Sequence, residues 1–134
     1  MASLIRIEGI GEVYARKLQE IGLVTTEALL KRGATPKGRE EIAEQSGIDG
    51  KKILEWVNRA DLFRIKGVAE EYSDLLENAG VDTVPELAQR NPANLHVKLT
   101  EVNLAKQLVR RLPTQEEVTR WVQHAKELPR AVTY

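Results

Sequence analysis

Hydrophobic residues recur along this chain at spacings of three and four, the period that places them on one face of an α-helix. Two such stripes each carry a tryptophan: Ile53, Trp56, Val57 and Ala60, and Val118, Trp121, Val122 and Ala125. Shorter stripes precede them: Tyr14, Leu18 and Ile21, and Tyr72, Leu76 and Ala79. No segment alternates between apolar and polar residues with the period of two that a half-buried strand needs. The pattern predicts an all-α protein.

The predicted helices begin and end with the residue types that favour helix boundaries. Gly22 and Gly80 follow the shorter stripes, where a left-handed residue closes a helix. Asp49 is placed to cap the helix of the first tryptophan. Four more capping side chains stand before a proline or before a glutamate three residues later: Thr35, Asn91, Thr83 and Thr114. We therefore expect short helices joined by tight turns.

The sequence also repeats itself, which indicates a duplicated unit. Residues 53–60 align with residues 118–125 at an offset of 65, and this pairs Trp56 with Trp121. Residues 5–29 align with residues 63–87 at an offset of 58, with nine identical pairs: Arg6/Arg64, Ile7/Ile65, Gly9/Gly67, Glu12/Glu70, Tyr14/Tyr72, Leu18/Leu76, Gly22/Gly80, Thr25/Thr83 and Leu29/Leu87. Because the offset grows from 58 to 65, the second copy is longer in its middle, around residues 91–112.

We expect the copies to occupy residues 1–62 and 63–134 and to pack into one compact helical protein. Residues 61–63 contain no glycine, serine or proline that would make a flexible linker. The second copy is degenerate, has the extended middle, and ends in a short C-terminal tail. We expect this tail, residues 129–134, to be frayed.

Composition excludes several classes of function. The chain has 134 residues with 20 basic and 20 acidic side chains, so no net charge draws it toward nucleic acid or an anionic membrane. The absence of cysteine excludes disulfides, thiolate zinc sites and a cysteine nucleophile. No apolar run approaches the roughly 20 residues that cross a bilayer, and the start lacks the layout of a signal peptide. We expect a cytoplasmic protein without a membrane partner.

The pattern Ile7-x-Gly9-Ile10-Gly11-x-x-x-Ala15-x-x-Leu18-x-x-x-Gly22 resembles a helix-hairpin-helix motif. In that family two glycines form a tight turn between helices, and the aliphatic residue between them enters the core. The N–H groups that open the next helix can receive a DNA phosphate. The matching positions are Gly9, Ile10 and Gly11 in the first copy and Gly67, Val68 and Ala69 in the second.

Nearly the whole chain resembles an uncharacterised bacterial family of doubled helix-hairpin-helix proteins, a domain of unknown function. The stretch from Asn91 onward carries much of this likeness. The resemblance implies two tandem helix-hairpin-helix repeats. A looser likeness is to the C-terminal repeats of the NusA transcription factor and the C-terminal domain of the RNA polymerase α subunit, which are compact helical modules that bind proteins.

The chain departs from the DNA-binding pattern at the position that contacts the phosphate. DNA-binding hairpins usually carry lysine or arginine two residues after the second glycine, but Val13 and Glu71 stand there. Glu12 and Glu70 lie beside them and would repel a phosphate. Six cations remain as candidate phosphate or partner contacts. They lie in the first hairpin helix, beside the turn at residues 33–36, and at the predicted end of a helix before Pro113: Arg16 and Lys17, Lys37 and Arg39, and Arg110 and Arg111.

The sequence contains no recognisable catalytic pattern, such as a phosphate-binding glycine loop, a nucleophile triad or HExxH. His96 and His124 lack the spacing of a metal pair, and the matched tryptophans favour core packing over base stacking. We therefore expect no enzyme activity, metal, cofactor or small-molecule substrate. The sequence favours a non-catalytic helical binding module with a macromolecular partner, a protein rather than nucleic acid. The alternative is a nucleic-acid-binding protein in which the first hairpin turn contacts backbone phosphates.

Overall fold

Eight α-helices make up most of residues 3–134, the part of the chain that the computed structural model describes. A short 3-10 helix, Leu4–Arg6, precedes them, and an isolated β-bridge joins Ser3 to Thr25. The prediction of an all-α protein is confirmed. The helices are α1 (Glu12–Glu20), α2 (Thr26–Arg32), α3 (Pro36–Ser46), α4 (Gly50–Leu62), α5 (Glu70–Asn78), α6 (Val84–Ala88), α7 (Pro92–Lys106) and α8 (Gln115–Glu127).

The chain divides into two compact units. The second unit is continuous, Leu62–Pro129, and holds α5 to α8. The first unit consists of the chain up to Asp61 together with Arg130–Tyr134, and it holds α1 to α4 apart from the last residue of α4. The final five residues thus lie with the first unit, whereas the sequence placed them at the end of the second copy.

The core of the first unit forms around α4. Ile53, Trp56 and Val57 of this helix are buried, as the stripe predicts, and Trp56 is only 3% exposed. The other buried apolar residues of the unit come from the 3-10 helix, α1, α2, α3, the connections between them and the C-terminal segment: Leu4, Ile7, Ile10, Leu18, Leu23, Leu29, Ile42, Ile48 and Val132. The ring of Tyr14 on α1 packs against that of Trp56 with 5.2 Å between centroids and a tilt of 57°. This tilted geometry is typical of favourable aromatic pairs.

The C-terminal segment Arg130–Tyr134 is an ordered part of the first unit, so the prediction of a frayed tail is wrong. Val132 is buried, 2% exposed. The backbone N–H of Thr133 donates to the carbonyl of Ala34 at 2.8 Å, and the Tyr134 hydroxyl donates to Asn58 at 2.8 Å. These partners are distant in sequence, and for that reason local patterning did not reveal them.

The second unit has a core of the same kind around α8. Val118, Trp121 and Val122 are buried there, and the ring of Tyr72 on α5 lies 5.2 Å from that of Trp121 at a tilt of 50°. Leucines and valines from α5, α6 and α7 complete the cluster: Leu75, Leu76, Val84, Leu87, Leu95 and Leu99. The third helix of this unit, α7, has 15 residues, whereas the third helix of the first unit, α3, has 11.

Most of the predicted helix boundaries are confirmed. Thr35, Thr83 and Asn91 each accept a hydrogen bond from the backbone N–H three residues on, and Thr114 forms a reciprocal capping box with Glu117. Both predicted glycines are in the left-handed conformation, Gly22 at φ +86° and Gly80 at φ +92°.

One boundary is wrong, because Arg110 and Arg111 do not end a helix. The helix α7 already ends at Lys106, where Gln107 takes a left-handed conformation with φ +50°. The side chain of Asn103 then pairs with the backbone of Val109 through two hydrogen bonds of 3.0 and 3.2 Å. This amide holds the chain as it leaves the helix, so both arginines lie in an irregular segment.

Among the described residues, none of the helices combines the length and apolar character that a membrane span requires.

Candidate functional site

The two turns singled out in the sequence share one backbone conformation. Gly9 has φ +93° and Gly67 has φ +91°, values that residues with a side chain rarely adopt. Each glycine also lies against a tryptophan. A Cβ atom on Gly9 would stand 3.4 Å from Nε1 of Trp56, and one on Gly67 would stand 3.1 Å from Nε1 of Trp121. The first glycine of each turn is therefore required by the backbone.

The middle and last positions of the turns differ in their roles. Ile10 and Val68 are both buried, 3% exposed, as expected for the residue that enters the core. Gly11 has φ −85°, and a Cβ atom there would meet nothing within 4 Å. Its counterpart Ala69 has φ −126°. Neither conformation requires glycine, so the alanine in the second turn leaves the turn geometry intact.

The helices that follow these turns begin without a capping side chain. Gly11 and Ala69 are the N-cap residues of α1 and α5, and neither can accept a backbone N–H through a side chain. All other described α-helices begin with a side-chain cap, including α4, where Asp49 accepts from the N–H of Lys51 at 2.9 Å. The first turns of α1 and α5 instead carry exposed acids, Glu12 in one and Glu70 with Glu71 in the other.

The predicted cations of the first unit are divided between surface and interior. Arg16 and Lys17 are exposed on α1, and the ammonium of Lys17 lies 6.0 Å from the centre of the Tyr14 ring. Lys37 is exposed near the start of α3. Arg16, Lys17 and Lys37 therefore remain accessible to a partner.

Arg39 is buried and holds the C-terminal segment, so it is not offered to a phosphate or a partner. Its guanidinium donates to the carbonyl of Gly33 at 2.8 Å and to the carbonyl of Thr133 at 2.7 Å. It also lies 5.9 Å from the centre of the Tyr134 ring. Burial lowers the pKa of Arg39, because removal from water disfavours the charged form.

The two candidate arginines of the second unit also differ. Arg110 is exposed. Arg111 makes a two-pronged pair with Glu117, each of its two donating nitrogens 2.8 Å from a carboxylate oxygen. This pair lowers the pKa of Glu117 to about 2 and raises that of Arg111. The charge of Arg111 is thus largely matched by Glu117, and its carbonyl accepts the Tyr72 hydroxyl at 2.9 Å.

An apolar surface on α7 was not predicted from the sequence. Leu104 is 77% exposed and Val97 is 57% exposed. They are seven residues apart, two helical turns, and therefore lie on one face. The buried Leu95 and Leu99 occupy the other side of the same helix. A signal was present, because α7 carries apolar residues on more than the one face that a small helical core can cover.

A pocket in the second unit was also missed. It measures about 440 Å³ and lies beside the Gly67 turn, lined by Lys66, Gly67, Glu117, Arg120, Trp121 and His124. The backbone N–H of Lys66 donates to Nδ1 of His124 at 3.0 Å, which fixes the imidazole ring in the wall. Comparison of the two copies could have drawn attention to it, because Glu8 and Glu55 stand where Lys66 and Arg120 stand in the second copy.

The described residues contain no group of three or more histidine, aspartate or glutamate side chains arranged to hold a metal ion. The two histidines have other contacts. His96 contacts the carbonyl of Pro113 at 2.9 Å through Nε2, and His124 accepts from Lys66.

Comparison with known proteins gives one match. A family model described as a domain of unknown function (DUF4332) matches residues 1–128. No curated protein and no solved structure matches the chain. The match covers nearly the whole sequence, so the chain belongs to this family, and the predicted resemblance to a family of unknown function is confirmed.

Proposed function

We propose that this member of the DUF4332 family is a non-catalytic binding module that recognises another protein through the outer face of α7. The observation that carries the proposal is the exposure of Leu104 and Val97 on one face of that helix. Burying each such side chain contributes about 1.5–3 kcal/mol. Glu101 and Lys98, both exposed, supply charge beside the apolar pair. The partner that fits is an amphipathic helix laid along α7.

The proposal includes the architecture. We infer that the two units are tandem helix-hairpin-helix repeats related by duplication. The turn glycines with φ near +90°, the matched tyrosine–tryptophan pairs and the same order of four helices support this inference. Part of the extra length of the second copy falls in α7, which has 15 residues against 11 in α3, and the connection that follows α7 is longer as well. The lengthened region thus includes the helix that carries the exposed apolar face.

The test is capture of partners from the native lysate with tagged protein, with and without nuclease. Three proteins are compared: the parent chain, the double variant Val97→Ser with Leu104→Ser, and a control with two exposed valines of the first unit changed, Val13→Ser with Val24→Ser. All four substituted positions are exposed, so circular dichroism should confirm unchanged helix content. We expect nuclease-resistant proteins that the parent and the control retain and the α7 variant loses.

Two results would contradict this assignment. Equal capture by the α7 variant and the control would exclude α7 as the contact surface. Loss of all captured proteins after nuclease treatment would show that nucleic acid bridges them, and the second candidate function would then lead.

That second candidate is nucleic-acid binding by the turn before α1. Its supporting observations are the uncapped start of α1, the open space at Gly11 and the exposed Arg16 and Lys17. Exposed Glu8 and Glu12 oppose it, and Val13 stands where a phosphate-binding cation is usual. We therefore expect the parent chain to bind duplex more weakly than the ~10⁻⁴–10⁻⁶ M of ordinary non-specific binders.

Duplex titration at two salt concentrations tests this candidate. Glu12→Ala with Val13→Lys should strengthen binding and steepen its salt dependence, because the change supplies the missing cation and removes an acid. Tight, salt-sensitive binding by the parent chain, lost in Arg16→Ala with Lys17→Ala, would make nucleic acid the leading partner.

A further inference from the structure

The pocket beside the Gly67 turn has the indole edge of Trp121 in its wall. Trp121 is 2% exposed, and it lines the pocket together with Gly67. Its Nε1 is the atom that lies against Gly67. An acceptor group bound beside this glycine would therefore lie within reach of the indole N–H.

The turn itself keeps this donor open. Gly67 has φ +91°, and a Cβ atom there would stand 3.1 Å from Nε1 of Trp121. A side chain at this position would cover the indole N–H. Glycine instead leaves a gap through which a ligand oxygen can approach the nitrogen closely.

The other polar groups of the pocket are mainly donors. Lys66 and Arg120 are exposed at its rim and carry positive charge. His124 accepts from the Lys66 N–H through Nδ1, so the neutral ring carries its proton on Nε2 and presents a further donor. Glu117 is the one acid of the lining, and Arg111 neutralises it through two hydrogen bonds of 2.8 Å. Glu116 lines only the adjoining groove, which also contains Arg120.

The first unit supplies a natural comparison, because it has the same glycine–tryptophan contact with a different arrangement of charges around it. Trp56 lies against Gly9 as Trp121 lies against Gly67. A Cβ atom added to Gly9 would stand 3.4 Å from Nε1 of Trp56, and one added to Gly67 would stand 3.1 Å from Nε1 of Trp121. At the positions of Lys66 and Arg120, however, the first copy has Glu8 and Glu55, both exposed, while Lys52 and Arg59 stand at the positions of Glu117 and His124. Acids and bases therefore balance around Trp56. Around Trp121 the one acid is paired with Arg111, and the two cations remain for a ligand of negative charge.

We propose that this pocket binds the terminal phosphate of a small phosphorylated ligand. A phosphate monoester carries a charge near −2 at neutral pH and presents three acceptor oxygens, which suits two cations and two neutral N–H donors better than a carboxylate does. The pocket of about 440 Å³ exceeds the volume of a phosphate and lies within the range of small-molecule sites, roughly 300–1,000 Å³. The remainder of the ligand lies against the edge of the indole. This site is independent of the α7 surface.

The two tryptophans give the experiment an internal control. In ¹⁵N-labelled full-length protein the two indole N–H signals are assigned with the variants Trp56→Phe and Trp121→Phe. Phenyl phosphate is then titrated into the parent chain. We expect a saturable shift of the Trp121 signal and a stationary Trp56 signal, since the acids Glu8 and Glu55 replace Lys66 and Arg120 in the first unit. Dimethyl phosphate, a singly charged diester, and a short DNA duplex are titrated in parallel.

Charge variants identify the residues that hold the phosphate. Lys66→Gln with Arg120→Gln should weaken phenyl phosphate binding by roughly tenfold or more, because two charge-assisted contacts are lost. The matched control, Arg110→Gln with Lys126→Gln, removes two exposed cations of the same unit outside the pocket and should leave affinity unchanged.

Three outcomes would overturn the proposal. The first is the absence of a saturable shift at Trp121. The second is equal weakening by the control pair, which would indicate non-specific attraction. The third is a diester or duplex that binds as tightly as the monoester with the same shift at Trp121, which would assign the pocket to a nucleic-acid backbone.

Discussion

Replacing Arg39 by methionine tests whether a single buried guanidinium fastens the C-terminal segment to the first unit. Methionine keeps the apolar stem but removes the donors to the carbonyls of Gly33 and Thr133. A hydrogen bond to a charged group contributes about 1.5–3 kcal/mol. The variant loses two such hydrogen bonds, but it also avoids the free-energy cost of burying a charge. We therefore expect the free energy of unfolding to fall by about 3 kcal/mol.

The assay is urea denaturation followed by tryptophan fluorescence in a Trp121→Phe background, where Trp56 alone reports on the first unit. Lys37→Met is the matched control: this lysine is on the same helix, but it is exposed. We expect it to change the free energy of unfolding by no more than about 0.5 kcal/mol. Hydrogen exchange at the Thr133 N–H, which donates to Ala34, should become faster in the Arg39 variant and not in the control.

A double-mutant cycle then separates the two hydrogen bonds of Arg39. In a chain shortened to residues 1–129 the Thr133 carbonyl is absent. There Arg39→Met removes only the hydrogen bond to Gly33, so it should lower the free energy of unfolding by about 1.5 kcal/mol. If the substitution costs as much in the shortened chain as in the full chain, Arg39 does not act through the C-terminal segment and the reasoning fails.

Three further predictions concern the cores, the turns and the Arg111–Glu117 pair. Trp56→Ala should lower the free energy of unfolding by about 3–5 kcal/mol; a variant that unfolds like the parent would place the ring outside the core. Gly9→Ala should cost about 1–2 kcal/mol because φ is +93°, whereas Gly11→Ala, at φ −85° with open space, should melt like the parent. Because folding lowers the pKa of Glu117 from 4.5 to about 2, its contribution is complete above pH 4.5 and is lost as pH falls toward 2. Denaturation series over that window should show slightly less acid destabilisation in Glu117→Gln than in the parent, because solvent weakens so exposed a pair, and equal slopes would argue against it.

The parts of the fold that could be predicted from the sequence are those decided within a few residues. A threonine or asparagine cap bonds to a backbone N–H three positions away, so Thr35, Thr83 and Asn91 could be identified from the sequence alone. The tryptophan stripes likewise follow from helical spacing. The end of α7 could not be predicted, because it depends on the Asn103 amide pairing with Val109 after the chain has turned.

In the candidate site, too, the features decided by nearby residues could be predicted and those decided by distant contacts could not. The conformations of Gly9 and Gly67 follow a local turn pattern, whereas Arg39 looked like a surface cation until its partner 94 residues away was known. The pocket was missed because Lys66 and Arg120 look like ordinary solvated charges when considered singly. Their meaning depends on the pocket that they line together with Trp121, which only a three-dimensional structure reveals.

The discontinuous first unit has a consequence for synthesis on the ribosome. Domains usually complete their folding in the order in which they are translated. Here the second unit, Leu62–Pro129, is complete in sequence before Val132 and Thr133 have been made. The earlier-translated helices must therefore wait with the Arg39 guanidinium lacking one of its acceptors and the site of Val132 unfilled. The unit whose synthesis begins first is therefore the one that completes its folding last.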